Sequence, residues 1–355
     1  MAINRPCYAT REQVKRALDV HETARNNAQV DRAIESASDE IDGGMDGANR
    51  GAGCLHRRFV PEDKTRYFDW PADSRLWLDQ HELAAATEIV AGGETIALGD
   101  YLLRPDDGPP YTHVEINLGS QAAFNAGDTT QRAIAITGTW MGCAPVTAPA
   151  GELAGAVNDT VTTINLTDSA AMGVGDIIIA GTERMLVTDR RMLDAGQNLQ
   201  ANLTATNNDT LVEIEDGAAY TVDEVILLDA ERMLIVDIAG NNLIVKRAWD
   251  GSVLAAHTAG AGIYTPRTLV VRRGALGTAA AAHADATSLV RHVPPALVRD
   301  LALAEAVNQL LQEAGAYART VGSGDNERQM TMSALNDLRD RAYTAYGRKA
   351  RTRAV

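Results

Sequence analysis

Apolar residues recur at the three-and-four spacing of a single helix face in Val30, Ala33, Ile34, Ala37 and Ile41, and Gly43-Gly44 closes that helix. A shorter helix precedes it. Thr10-Arg-Glu-Gln13 is a capping box, in which the hydroxyl and amide side chains satisfy free amides at a helix start, and Val14, Ala17 and Leu18 point inward before about Val20. Gly43 to Gly53 holds five glycines and predicts a mobile loop. From Arg66 to Asn117 the period falls to two, predicting strands at Thr65–Trp70, Arg75–Leu78, Glu94–Leu98, Tyr101–Arg104 and Thr112–Ile116, with Pro105-Asp-Asp-Gly-Pro-Pro110 as a turn. Another strand is predicted at Arg132–Thr137, before Gly138 and Gly142. The helical period returns after Pro294-Pro295 with Leu297, Leu301, Ala304, Val307, Leu311 and Ala314, running to about Arg319. Gly322-Ser-Gly-Asp-Asn breaks it, and a last helix is expected over about Arg328–Gly347, with Met332, Leu335, Leu338, Ala342 and Tyr346 on one side.

Between these ends the alternating pattern occurs twice. Residues 162–189 pair with 210–237 at an offset of 48 with eleven identities in twenty-eight, including Glu183-Arg-Met-Leu186 against Glu231-Arg-Met-Leu234. Residues 243–264 pair with 269–290 at an offset of 26 with seven identities in twenty-two, including Ala255-Ala-His257 against Ala281-Ala-His283. The duplication is therefore nested. An inner β unit, 210–264, sits inside an outer one split into 162–189 and 269–290, at the point where the inner unit has the turn signal Ala239-Gly-Asn-Asn242. Hairpin tips are exposed and their ends are close, so insertion there is cheap. Residues 143–161 and 190–209 read as linkers, and each unit as a small antiparallel barrel or sandwich.

Composition narrows the partners. The formal charge of −14 disfavours conventional DNA binding. No apolar run reaches a bilayer span and the N-terminus lacks signal-peptide order, so a soluble chain made in a host cytoplasm and no membrane partner are expected. Cys7, Cys54 and Cys143 are odd in number and widely spaced, which suits reduced thiols rather than a disulfide framework.

Chemistry-bearing motifs are scarce. Phosphate-loop, serine-hydrolase and zinc-protease signatures are missing from the sequence, so no enzyme activity, cofactor or metal is expected. His257 and His283 occupy equivalent sites and read as packed, hydrogen-bonded residues of the repeat rather than ligands. Asp168 and Asp216, also equivalent, read as turn formers rather than calcium ligands. For Glu183-Arg184 and Glu231-Arg232 an ion pair or cross-strand contact is preferred to a binding site. From Leu338 onward six basic residues, Arg339, Arg341, Arg348, Lys349, Arg351 and Arg353, accompany one acidic residue, against the sign of the whole chain. They are docking candidates for an acidic groove.

With 143–291 set aside, the order of elements resembles the head–tail adaptor (connector) proteins of long-tailed bacteriophages. The resemblance rests on the Val30/Ile34/Ile41 helix, the Tyr101-Leu-Leu-Arg-Pro105 to Tyr111 turn, and the Ile134-Ala-Ile-Thr-Gly-Thr-Trp-Met-Gly142 strand. A Pro-started helix and the final Tyr343-x-x-Tyr-Gly-Arg-Lys349 complete it. It implies an α+β fold: a discontinuous helical adaptor core with short β strands, 1–142 and 292–355, carrying the inserted nested pair of β domains. It also implies a virion neck protein without enzyme activity, forming a homo-oligomeric ring of twelve subunits between the portal protein and the next neck or tail-completion protein. The six basic residues would dock on the portal, DNA would pass through the acidic channel without specific binding, and the β insert, too large for a narrow lumen, would project outward, toward solvent or the capsid vertex with the major capsid protein as a candidate partner. The reading from a different class is a phage tail or baseplate protein whose duplicated β units bind a host surface; the repeats contribute few aromatic rings, Trp249, Tyr220 and Tyr264, for a sugar site.

Overall fold

The computed structural model describes residues 3–18, 27–43, 55–78, 81–314, 320–321, 328–329 and 333–347. Helix α1 (Arg11–Leu18) starts at the capping box: Thr10 donates its N–H to Gln13 Oε1 at 3.0 Å, and Gln13 N–H donates to Thr10 Oγ1 at 3.2 Å. Helix α2 (Asn27–Asp42) buries Val30, Ala33, Ile34, Ala37 and Ile41, and Gly43 ends it in the left-handed conformation, φ 73°. The glycine-rich loop beyond it and Cys54 lie outside the described residues, while Cys7 and Cys143 are buried free thiols.

Residues 62–140 then fold as strands: β1 (Glu62–Phe68), β2 (Arg75–Trp77), β3 (Leu83–Ala91), β4 (Glu94–Ile96), β5 (Tyr101–Arg104), β6 (His113–Ile116) and β7 (Ile134–Trp140). They form two antiparallel sheets, in orders β1-β7-β3-β4 and β2-β6-β5, around a core of their own that includes Phe68, Leu76, Leu83, Ile89, Val114, Ile136 and Trp140. Strand β3 carries no signal that its sequence makes obvious, because Ala84-Ala-Ala86 has little preference for a pleated surface. Its pairing with β7 and the burial of Leu83, Ile89 and Ala91 override that weakness. Gly138 on β7 is required by that pairing, since a Cβ there would lie 2.2 Å from the Ala85 carbonyl oxygen.

The duplicated region contains β8 (Thr147–Glu152), β9 (Thr163–Asn165), β10 (Ile177–Ala180), β11 (Glu183–Asn198), β12 (Leu211–Glu213), β13 (Val225–Leu228), β14 (Glu231–Ala239), β15 (Asn242–Lys246), β16 (Gly262–Arg272) and β17 (Ser288–His292). All ten belong to one antiparallel sheet. The ladders repeat at the offsets seen in the sequence. Ile178 faces Met185 as Ile226 faces Met233, Ile164 faces Leu269 as Val212 faces Leu243, and the bulge at Thr188 recurs at Val236. The bridge Val157–His283 likewise matches Leu203–His257, and the amide of Leu153 on Thr287 matches that of Leu199 on Ala261. These equivalences run into both stretches read as linkers, and β11 and β16 pass without a break from one unit to the other.

The chain ends with α3 (Ala296–Ala314) and α4 (Ser333–Tyr346). The described residues just before α4 correct its expected start, because Arg328–Gln329 pair with Thr320–Val321 as two short strands. Arg339 on α4 holds Glu305 on α3 and Glu40 on α2, and the Tyr346 ring meets Phe59 edge-on at 5.8 Å. All four helices share one core with the outer β unit, joining Val30, Ile34, Phe59, Leu301 and Leu310 to Val174, Leu186 and Leu269. The inner unit has a third core of its own.

This architecture overturns the expected α+β fold with a helical adaptor core. The chain is mostly β, 36% strand against 21% helix, with β1–β17 in three antiparallel sheets. Among the described residues the helices occur only near the two ends. They pack on one another, α2 on α3, α3 on α4 and α1 on both α2 and α3, and share their core with the outer β unit.

Candidate functional site

Glu183 and Glu231 open the second strand of equivalent hairpins and point into the units, with fully buried side chains. Each carboxylate is clamped in the same way. Arg273 donates Nε and Nη2 to the two oxygens of Glu183, both at 2.7 Å, and Arg247 does so to Glu231 at 2.7 and 2.8 Å. Two backbone amides add to each: Gly274 and Ala281 on Glu183, Ala248 and Ala255 on Glu231. His283 Nε2 and His257 Nε2 complete the sets at 2.8 and 2.9 Å. The guanidinium of each arginine also donates to the carbonyls of Ala281 or Ala255, closing the loop around the carboxylate.

The loop between arginine and histidine is bent identically in both units. Ala248, Asp250 and Gly251 have positive φ of 51°, 52° and 72°, and Gly274, Leu276 and Gly277 have 55°, 57° and 84°. Left-handed conformations at Ala, Asp and Leu are costly, and they persist where surrounding bonds fix them. Here the loop amides must reach the buried carboxylate.

Burial pushes Glu183 and Glu231 toward the neutral acid, but the arginine, the histidine and the two amides outweigh it and bring both down to about 2. A carboxyl group depressed on folding contributes stability in full above its ordinary value of 4.5, and loses it as pH falls from there toward 2. Acid unfolding of both β units is therefore expected within that window. Glu183→Gln and Glu231→Gln should each flatten the acid limb of a pH series of thermal midpoints, and an unchanged limb would contradict the clamp.

Of the residues singled out in the sequence, Glu183, Glu231, His257 and His283 meet in these clamps, but Arg184 and Arg232 do not join them. Adjacent strand residues point to opposite faces, so each arginine turns outward. Arg184 pairs with Asp63 of β1 at 2.8 Å, and Arg232 pairs with Asp250 at 3.0 Å. Arg247 and Arg273 are the cations that sequence reasoning missed. Their equivalence at the offset of 26 was available as a signal, because arginine is identical there while its neighbours differ.

A second shared position has different surroundings in the twins. Asp176 and Glu224 occupy the same position, yet burial pushes Asp176 up to about 6, against the attraction of Arg291 and a Gly173 amide. Glu224, also buried, is brought below its ordinary value because Arg267 donates Nε and Nη2 to it at 2.9 and 2.6 Å and Ser169 donates its hydroxyl and amide. Glu224 thus joins the inner unit to the outer. Arg190 braces the same joint by donating to the carbonyls of Ser169, Met172 and Pro266.

The N-terminal segment seats on the outer unit's loop 173–175. Cys7 and Arg11 donate amides to the Gly175 and Val174 carbonyls, Val174 donates its amide to Glu12, and Arg11 reaches Asp189 at 2.9 Å. A Cβ on Gly173 would lie 2.5 Å from Thr10 Cβ. Gly173→Val is expected to lift this segment and cost about 1–3 kcal/mol by overpacking. Faster proteolysis between residues 3 and 18 would register it, and wild-type resistance would contradict it.

The basic candidates divide. Arg339 pairs with Glu305 and Glu40; Arg341 is exposed; and Arg348, Lys349, Arg351 and Arg353 lie outside the described residues. Among the described residues no group of three or more His, Cys, Asp or Glu side chains is placed to hold a metal ion, and no helix is long and apolar enough to cross a membrane. No family model, curated protein or solved structure gives a significant match to this chain.

Proposed function

We propose that the chain is a structural assembly protein of a phage virion, a ring-forming head–tail adaptor between the portal protein and the next neck or tail protein, without enzyme activity. The observation that carries this reading is the use to which the buried ionisable groups are put. Glu183, Glu231, Glu224 and Glu305 are each held by an arginine: the first two lock the loop of their own β unit, Glu224 fixes the inner unit on the outer, and Glu305 fixes α3 on α4. Such bonding gives a rigid body that can tile. The resemblance at the two ends of the chain supports the specific place in the virion, and the net charge of −14 suits a ring through which DNA passes without sticking. The basic segment after Gly347 anchors each subunit in its surroundings.

The alternative reading, a tail or baseplate protein whose β units bind a host surface, has less to stand on, since Tyr220 is buried and Trp249 is covered by Lys246 at 5.2 Å, which leaves Tyr264 as the exposed ring of the three. A phage lacking this chain tests the two. An adaptor defect leaves DNA-filled heads without attached tails, whereas complete particles that fail only to adsorb would overturn the adaptor reading.

A further inference from the structure

The twin units share their clamps and ladders but not their surfaces. Residues 192–262, which make up the inner unit, contain eleven acidic side chains and three basic ones, while 152–191 and 263–292 together contain seven of each. The difference is concentrated at exposed positions. On the outward face of β12, β15 and β14, Leu211 lies opposite Ile244, which lies opposite Asp237 beside the bulged Val236. Leu211 is 51% exposed and Val236 47%, and Glu213 and Asp237 are exposed beside them. The outer unit has Thr163, Val270, Thr188 and Asp189 at these places.

Asp189 receives Arg11 of the N-terminal segment, and Arg272 donates to the Asn4 carbonyl. Further along the same segment Lys15 and Arg16 pair with Asp250 and Asp223 of the inner unit, at 2.8 and 3.4 Å, and neither pairs with Asp237. Asp237, the twin of Asp189, accepts only the amide of its neighbour Ile238 among the described residues. Residues 7–12 have no equivalent seat on the inner unit, because Thr221 and Asp223 stand where Gly173 and Gly175 admit them. The inner face thus exposes two carboxylates among apolar side chains, with Lys246 on the same side of β15, on a fold whose twin takes an arginine at the matching carboxylate.

We propose that this face, Leu211, Glu213, Val236, Asp237 and Ile244, docks the basic C-terminal segment of a second copy of the chain, residues 348–355. That segment, Arg-Lys-Ala-Arg-Thr-Arg-Ala-Val, alternates cations with small or apolar residues. Its cations are drawn to Asp237 and Glu213, and its small and apolar residues can lie on Leu211, Ile244 and Val236. The contact is between copies and so rests on the ring reading above, for which it names the anchor of the tail.

The test titrates full-length protein into a fluorescent peptide spanning Gly347–Val355, read by anisotropy at low and high salt. Binding is expected at low salt and weakening at high salt, as exposed charge pairs are screened. Asp237→Lys and Leu211→Asp should each raise Kd at least tenfold with unchanged circular dichroism, while Thr163→Asp, at the twin position of Leu211, should leave it unchanged. Absence of binding, binding that survives Asp237→Lys, or equal loss with Thr163→Asp would overturn the proposal. Sedimentation of the full-length chain identifies the donor of the tail: mass rising with concentration, and not after deletion of 348–355, supports a second copy, and a monomer at every concentration overturns it. If Asp237→Lys protein still assembles fully on the portal, this inference falls and the adaptor reading stands; peptide binding without any assembly on the portal gives the reverse.

Discussion

Glu231→Ala is expected to destabilise the inner β unit by about 3–5 kcal/mol, the cost of removing one partner from a buried ion pair. The loss exceeds one contact because five donors converge on that carboxylate: Arg247 twice, His257, and the amides of Ala248 and Ala255. Arg247 would remain buried beside the carbonyls of Thr204, Asp209 and Ala255 with no anion to balance it. The loop with left-handed Ala248 and Asp250 would lose the bonds that hold its shape. Amide exchange should accelerate through 199–262, with β1–β7 and the helices protected as before. Glu183→Ala removes the same set from the outer unit, but its effect should spread, because that unit shares its core with α1–α4. Exchange confined to the outer strands after Glu183→Ala would contradict the shared core.

Excising the inner unit should leave a folded protein. In the inner unit Ala239 faces Asn242 across the two-residue turn Gly240-Asn241, with Gly240 at φ 61°, and the equivalent pair in the outer unit is Arg191 facing Thr268. Joining Arg191 to Thr268 through Gly-Asn therefore closes β11 and β16 into the hairpin that the twin already has. The shortened chain loses the Glu224–Arg267 joint and the inner core, but keeps the core that holds the helices. Near-unchanged helical ellipticity and a cooperative thermal transition are the expected result. Deletion of 162–290 is different, since it removes Val174, Leu186 and Leu269 from beneath the helices, and should yield an unfolded product.

The contrast shows which levels were legible in the sequence. The duplication, its nesting and the turn that marks the insertion point follow from identities and period alone, and the ladders reproduce the offsets residue by residue. Helices α1 and α2 were legible from a capping box and a clean apolar stripe. The balance of helix and sheet was not, because the resemblance drew attention to the ends of the chain, while β3 hides in an alanine run and 147–152 in a Pro- and Gly-containing stretch. At the clamps, Glu and His could be picked out as repeated residues. Their arginine could not be assigned, because Arg184 and Arg232 stand next in sequence and only strand alternation turns them away. The basic run at the C-terminus could be counted, but its internal use by Arg339 depends on α2, α3 and α4 meeting in space.

The most direct measurement is the mass of the purified chain in solution, alone and mixed with the phage portal, by light scattering with electron microscopy of the mixture. A ring seated on the portal, lost when the residues after Gly347 are deleted, is the predicted result. A monomer or small oligomer indifferent to the portal would contradict the adaptor account and turn attention to the acidic face of the inner β unit.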